Sequence, residues 1–475
     1  DALAHQTGTR SHNTAIGNRA MQAVVVSNNN TAVGSECMYT NTGGAQNTAV
    51  GKAALYTNST GSNNTAVGYN ALTGNTTGEH NTAIGRQALA ANSTGDNNTG
   101  VGYYALDDLT TGENNNSFGR GSLGSITTQS SNCAFGDYAL QANTAAENSA
   151  FGHRALYSNT TGTALAAFGK NALYANTTGG SNTAVGHSAL DANTTGARNV
   201  AVGSGALGSN TTGDENTVIG DNCLAGNTTG TKNVAIGHDC MEASNADSNT
   251  GIGWEVMKSL STGAENCCVG RGAAYSITTG GNNTVIGFRA GENITTAGST
   301  VCIGNQAGDD QITTSHDQLF IARVPQAAGN AGVWIYGNSS GQCFQGGNSS
   351  SWSTTSDRRL KKNIVDNTKG LAEINQLRVT DFEYRKEDEI DMSEFPLADG
   401  AHQVALGKGN EGTQTGIIAQ EVEAVLPECI NVSDRGAKTV NTDPITWALV
   451  NAVKELSTKN DELAAEIASL KSQIN

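Results

Sequence analysis

The residues best suited to chemistry in this chain of 475 residues are Ser356 and Lys361, in the run Ser356-Asp-Arg-Arg-Leu-Lys361-Lys-Asn-Ile364. A serine hydroxyl attacks only when a base takes its proton, and a lysine serves as that base when burial lowers its pKa enough to leave it neutral. The spacing is poor for one helix face, because five residues rotate a side chain by about 140°. A Ser–Lys dyad therefore needs a turn between the two residues or a helix that starts after Ser356, with Lys362 as the competing base. The alternative is that Ser356 and Asp357 cap a helix whose basic residues are solvated, and the motif in isolation favours it.

Other residues with chemical potential reduce to structure. Gly119-Arg-Gly121-Ser-Leu-Gly124 and Gly203-Ser-Gly205-Ala-Leu-Gly208 fit GxGxxG, but neither sits in a βαβ context with an acidic residue about twenty positions on. His153, His187 and His238 stand without a second histidine or paired carboxylates nearby in sequence, so a surface or ladder role outweighs metal ligation. The nine cysteines show no CxxC pair and no disulfide spacing, and they read as small apolar fillers. No cofactor or metal is expected. A net charge of −16 without a basic patch argues against nucleic acid as a partner. No apolar run of eighteen residues exists, so membrane insertion is not expected. The first residue is neither Met nor the start of a signal peptide, which suggests that a preceding region could carry an attachment segment.

The elements that must carry these residues follow from a repeat. A five-residue phrase, as in Asn47-Thr-Ala-Val-Gly51 and Asn182-Thr-Ala-Val-Gly186, recurs eighteen times from Asn13 to Gly304. The step is seventeen residues except at 132 to 148 and 233 to 249, where it is sixteen. With the Asn as position 0, position 3 is Val, Ile or Phe and position 4 is Gly in every copy. Positions 7 and 8 are usually Ala-Leu, and positions 11 to 14 often read Asn-Thr-Thr-Gly. So regular a period predicts a solenoid of one coil type. Two short strands per coil are expected, one ending at the phrase's Gly and one around Ala-Leu. Asn-Thr-Thr-Gly is expected to turn with its Gly at positive φ. Stacking predicts a ring column of Phe118, Phe135, Phe151 and Phe168, and a rod of roughly 85 Å at about 4.8 Å per coil. About three apolar side chains per coil make a thin core, which implies that several chains pack together, most simply three.

The composition changes at the chemical motif. Residues 1–355 hold 13 Lys plus Arg and 22 Asp plus Glu, whereas residues 356–475 hold 14 and 21. Proline first appears at Pro325, in keeping with a stack that needs its N–H groups. The expected divisions are a lead-in at 1–12, repeats at 13–304, capping strands with a Gly/Ser linker at 305–355, and a C-terminal module at 356–475. The phase is expected to run one step further, to Asp317-Gln-Leu-Phe-Ile321, with Trp334 and Tyr336 in a cap core. At the end, Leu449, Val453, Leu456, Asn460, Leu463, Ile467, Leu470 and Ile474 alternate in steps of four and three. They form the seam of a coiled coil over 446–474, with Asn460 fixing register. The seam alone is compatible with a dimer as well as a trimer.

The phrase resembles the Asn-Ser-Val-Ala-Ile-Gly-type repeats of trimeric adhesin heads, although those are shorter; this implies a trimeric β-roll. The Ser356 motif, Thr415-Gly-Ile-Ile-Ala-Gln-Glu-Val-Glu-Ala-Val-Leu-Pro-Glu428 and Ile445-Thr-Trp-Ala-Leu-Val-Asn-Ala-Val-Lys-Glu-Leu456 together resemble the intramolecular chaperone of phage tail spikes and fibres, the S74 peptidase family. That resemblance implies a trimerisation module that folds the upstream β structure and then cuts itself off. It implies Ser356 as nucleophile, Lys361 as base and Thr355–Ser356 as the scissile bond.

The expected fold class is mainly β: a trimeric parallel β-roll or β-prism solenoid, then an α+β chaperone domain ending in a coiled coil. The expected function is a virion appendage, a tail-fibre or spike shaft, folded in the host cytoplasm before release. Its expected partners are two further copies of itself and tail or baseplate components, with host surface glycans as a further candidate. At most it is a single-turnover autopeptidase with no external substrate. The alternative is a receptor-binding adhesin that keeps its chaperone uncleaved and uses the polar Asn-Thr-Thr-Gly edges.

Overall fold

The computed structural model describes residues 12–23, 26–308, 314–322, 333–337, 343–345, 364–383, 385, 389, 393, 413–432 and 438–474. The chain divides into two compact units, Asp1–Trp352 and Ser353–Asn475.

In the first unit every repeat contributes one strand at positions 1 to 3, from β1 (Thr14–Ile16) to β18 (Val301–Ile303). Successive strands pair in parallel with equivalent residues opposed, as in Thr48↔Thr65, Ala49↔Ala66 and Val50↔Val67. The unit is a parallel β-solenoid of 17-residue coils. The second strand expected around Ala-Leu does not form. That segment turns, with left-handed backbone at positions 6 and 8, as at Ala53 (φ 54°) and Leu55 (φ 50°). A leucine in that conformation costs about 1–2 kcal/mol. Coil-to-coil bonds offset it: Ala53 N–H donates back to Ser35 O at 2.9 Å, and Leu55 N–H donates forward to Ala71 O at 3.0 Å.

Alternation along each strand decides what lies inside. Position 2 points inward, and Ala32, Ala49, Ala66 and Ala83 are fully buried. Position 3 shares the outer face with the Thr of position 1, so Val50, Val67, Ile84 and Ile219 remain 36–41% exposed. The interior is filled instead by positions 2, 7 and 8, as in Ala66, Ala71 and Leu72. The phenylalanine column forms as expected, with ring centres 4.4, 5.0 and 4.8 Å apart along Phe118, Phe135, Phe151 and Phe168. It lies on the outer face.

Two buried asparagine columns flank that interior. At position 0, Asn47 Oδ1 accepts the N–H of Asn64 at 2.9 Å, and Asn47 Nδ2 donates to Gly61 O at 2.9 Å. At position 11, Asn58 Nδ2 donates to Asn41 Oδ1 at 3.0 Å and to the same Gly61 O at 2.9 Å. The turn glycine is therefore needed for close approach, not for φ: a Cβ at Gly61 would lie 2.4 Å from Gly78 O. Positive φ belongs to the phrase's own glycine, such as Gly51 at 134°. The second column is interrupted where Leu109 and Ile126 replace Asn. It stops there with Asn92 Oδ1 unpartnered, and again at Ser244 with Asn227 Oδ1 unpartnered.

The short steps are absorbed in the turn. In the coil from Asn132, Asn143 Nδ2 reaches Ala145 O, two residues on instead of three, and the strands stay in register as Cys133↔Ser149. The last step differs from expectation. Val301 pairs with Leu319 and Ile303 with Ile321, a step of eighteen, so Gln318 and not Asp317 takes position 0. After β19 (Leu319–Ala322), β20 (Val333–Gly337) and β21 (Cys343–Gln345) pair antiparallel and end the parallel stack. The side chains of Trp334 and Tyr336 lie outside the described residues.

In the second unit, α1 (Leu371–Ile374) precedes a two-stranded pair, β22 (Thr380–Phe382) with β23 (Gln414–Gly416). Then come α2 (Ala419–Val425), a 3-10 turn Pro427–Cys429, the hairpin pair β24 (Ile430–Val432) and β25 (Lys438–Val440), and α3 (Asp443–Ile474). Its small core is Val422, Leu426 and Cys429, packed by Leu377, Ile417, Val425, Ile430, Val440 and Ile445.

Candidate assembly and processing site

The long helix α3 shows one apolar face that stays exposed among the described residues. Ala448 and Ala452 are buried, but Leu449, Val453, Leu456, Leu463, Ile467 and Leu470 are 50–58% exposed. These are the expected seam positions, on one helix of 32 residues. Heptad-spaced leucine and isoleucine left in water along about four heptads is the surface a coiled-coil partner covers.

The segment that follows the Ser356 motif is tied to the base of this helix. Asn451 Nδ2 donates to the carbonyls of Asn367 and Lys369, both at 2.9 Å. Gly370 then passes close to Glu455, so a Cβ there would lie 2.0 Å from its carboxylate and would require the Glu455 side chain to swing aside. The Glu373 carboxylate accepts the Gly370 N–H at 2.9 Å, and that bond holds its pKa below the usual range. An ion pair of Arg378 with Glu421 and one of Lys438 with Glu423 join the strand pairs to α2. Asn451, Glu455 and Gly370 escaped sequence reasoning. Asn451 lies inside the quoted block Ile445–Leu456, but no spacing links it to residues more than eighty positions earlier.

Thr355, Ser356, Lys361 and Lys362 lie outside the described residues, so the expected dyad and scissile bond have no geometry here. The described chain resumes at Ile364, three residues past Lys361.

The remaining candidates resolve in the solenoid. Gly119 and Gly203 are phrase glycines at φ 135° and 139°, each followed by a turn and not by a helix. His238 is less isolated than its sequence context suggests. Stacking sets its Nε2 3.7 Å from Asp221 of the coil before, and its Nδ1 lies 3.4 Å from the adjacent Asp239, half-exposed. Among the described residues no cluster of His, Cys, Asp or Glu is placed to hold a metal ion, and no helix is long and apolar enough to cross a membrane. Cys37, Cys223, Cys240, Cys268 and Cys302 are unbridged and buried in the solenoid interior. Burial pushes the Cys37 and Cys302 thiols up to about 12, the state of a reduced filler.

The first threonine of the turn is largely taken up by the stack, since Thr76 Oγ1 donates to Ser93 O and Thr177 Oγ1 to Thr194 O, each at 3.0 Å. Those edges therefore offer fewer free hydroxyls than their sequence implies.

A β-solenoid with its apolar column on the outer face, followed in sequence by a small α+β unit whose terminal helix keeps a seam exposed among the described residues, is the setting for a family match. Residues 356–431 match the Peptidase_S74 family model, described as the chaperone of endosialidase.

Proposed function

We propose that the protein is the shaft of a virion tail fibre or spike, a homotrimer assembled by its C-terminal chaperone segment. The observation that carries this reading is the pairing, in one chain, of an eighteen-strand solenoid stack with a C-terminal S74 segment. Two uncovered apolar surfaces support self-association: the position-3 column of the solenoid and the α3 seam. Near-identical coils make slippage by one coil cheap. A module that brings three chains into register removes that search before the stack zips up.

In the same reading Ser356 attacks the Thr355 carbonyl carbon and Lys361, held neutral, takes the hydroxyl proton. The peptide C–N bond breaks as the proton passes to Ser356's own amine, which leaves Thr355 as an ester on Ser356 Oγ; water then hydrolyses that ester, freeing the Thr355 carboxylate and restoring the Ser356 hydroxyl. Cleavage would separate the registering module from the finished solenoid and leave unfolding hard to reverse, which is kinetic stabilisation.

Gel mobility of heated and unheated wild type beside Ser356→Ala and Lys361→Ala tests both parts. The expected result is an SDS-resistant trimer before heating in all three and a cut chain only in the wild type. A full-length wild-type chain after prolonged incubation, by denaturing mass spectrometry, would remove the processing step. Sedimentation equilibrium at the mass of one or two chains would remove the trimer.

A further inference from the structure

Position 6 of the repeat is left-handed throughout the stack, and it nevertheless accepts Ala53, Asn70, Gln87, Tyr104 and Tyr138. Glycine at that slot is not a backbone requirement. Gly121 sits there with φ 61°, and Gly124 occupies position 9 of the same coil. The coil before carries Tyr104 and Asp107 at these two slots, and the coil after carries Tyr138 and Gln141. The two missing side chains open a notch of about 360 Å3 walled by Tyr103, Tyr104, Asp107, Asp108, Arg120 and Tyr138.

Neighbouring groups hold the walls in place. Arg86 lies over both Tyr69 and Tyr103, 5.7 and 5.6 Å from the ring centres. Tyr103 meets Tyr104 edge-on, with centres 4.3 Å apart and planes at 82°. Arg120 lies 4.6 Å over the Tyr138 ring, and its backbone N–H donates to Asp137 Oδ1 at 2.9 Å. The Tyr138 ring leans across Gly121, where a Cβ would come within 3.1 Å of it. A second notch of about 300 Å3 lies at Gly272, between Glu255 and Arg289, where only position 6 lacks a side chain and position 9 is Tyr275. Its charges neutralise each other, with Arg289 Nε 3.3 Å from Glu292, and only Tyr275 is aromatic.

We propose that the notch at Gly121 is a lateral saccharide site that takes one uncharged pyranose unit of a glycan. Tyrosine rings present an apolar face with a polar tip, which suits the C–H face of a sugar ring. Asp107 and Asp108 accept hydrogen bonds from ring hydroxyls, while Arg120 and Gln141 donate to hydroxyl oxygens. The paired carboxylates disfavour an anionic ligand and Arg120 disfavours a cationic one, which leaves a neutral polyol. The site is built from positions 5 to 10 of the coils, ahead of the turn at positions 11 to 14, and its existence does not depend on the chaperone reading.

The test is saturation-transfer NMR of the full chain with the methyl glycosides of glucose, galactose and mannose and with N-acetylglucosamine. At least one is expected to bind the wild type and to bind about tenfold more weakly, or not at all, to Tyr138→Ala and Gly121→Gln. Gln87 already holds glutamine at this slot with φ 58°, so Gly121→Gln keeps the backbone. Gly272→Gln is expected to bind like the wild type. The proposal is overturned by the absence of transfer from all four sugars. Unchanged binding in a folded Gly121→Gln, or preferential binding of tetramethylammonium, overturns it equally.

Discussion

The backbone N–H of Asn81 donates to Asn64 Oδ1 at 2.9 Å, across seventeen residues of sequence and one layer of the stack. Asn64 Nδ2 meanwhile donates to Gly78 O at 2.8 Å, so one buried side chain closes its own coil and joins it to the next. Asn64→Ala leaves a buried N–H without a partner, at about 1–3 kcal/mol. Because a repeat array is stabilised coil by coil, the loss is expected locally. Amide exchange around Asn81 should accelerate by about tenfold or more, while coils near Asn216 exchange as before. A uniform change along the stack would contradict this.

Asn451 is expected to hold the first described residues of the C-terminal unit in place. Asn451→Ala removes both bonds to the Asn367 and Lys369 carbonyls. Asn451→Asp is expected to be worse, since it faces two acceptors with a third. Exchange of residues 364–371 should rise in the order wild type, Ala, Asp, with the helicity of α3 unchanged. Identical exchange in all three would show that the contact does not restrain the segment.

Asp107 gives a pH signature. Burial, and next the Asp108 carboxylate, push its carboxyl up to about 6 from 3.8. A raised carboxyl pKa means that folding penalises the charged form, so the penalty is complete above the folded pKa and absent below the unfolded one. Asp107→Asn should therefore melt slightly higher than the wild type at about pH 8, with the difference shrinking as pH falls through the folded value and vanishing only below the unfolded value of 3.8. The gain should be small, because the group is about half-exposed and solvent screens it. A gain that grew on acidification would reverse the sign.

The outer apolar column gives an assembly test. Val185 and Ile219 are 38% and 41% exposed, so Val185→Glu with Ile219→Glu should leave a single chain's fold within about 0.5 kcal/mol. If three chains pack through this column, the variant should sediment as a smaller species with wild-type secondary structure. An unchanged sedimentation coefficient would move the interface elsewhere.

Cys267 and Cys268 are adjacent on β16 (Cys267–Val269) and face opposite ways. Cys267 is exposed, whereas Cys268 is fully buried with its thiol pushed above the usual range by burial. Native-state alkylation with iodoacetamide should label Cys267 and spare Cys268, which reacts only after unfolding. Equal labelling would mean that the coil opens.

The sequence alone determined the period, the coil count and the parallel stack, because Asn at position 0 and Gly at position 4 recur at fixed spacing. It also located the α3 seam, because an apolar four-three alternation has one helical meaning. Tertiary structure decided which face each residue takes. Val50 looks like core by hydropathy, yet it shares parity with Thr48 on the outer face, and it is Ala49 between them that points into the buried interior. The left-handed Leu55 and the eighteen-residue step to Leu319 were not legible, since both depend on hydrogen-bond partners in the adjacent coil. The same holds for the notch at Gly121. The missing side chain there gains aromatic walls because the coils on either side carry Tyr104 and Tyr138, and that adjacency exists in the stack, seventeen residues away along the chain.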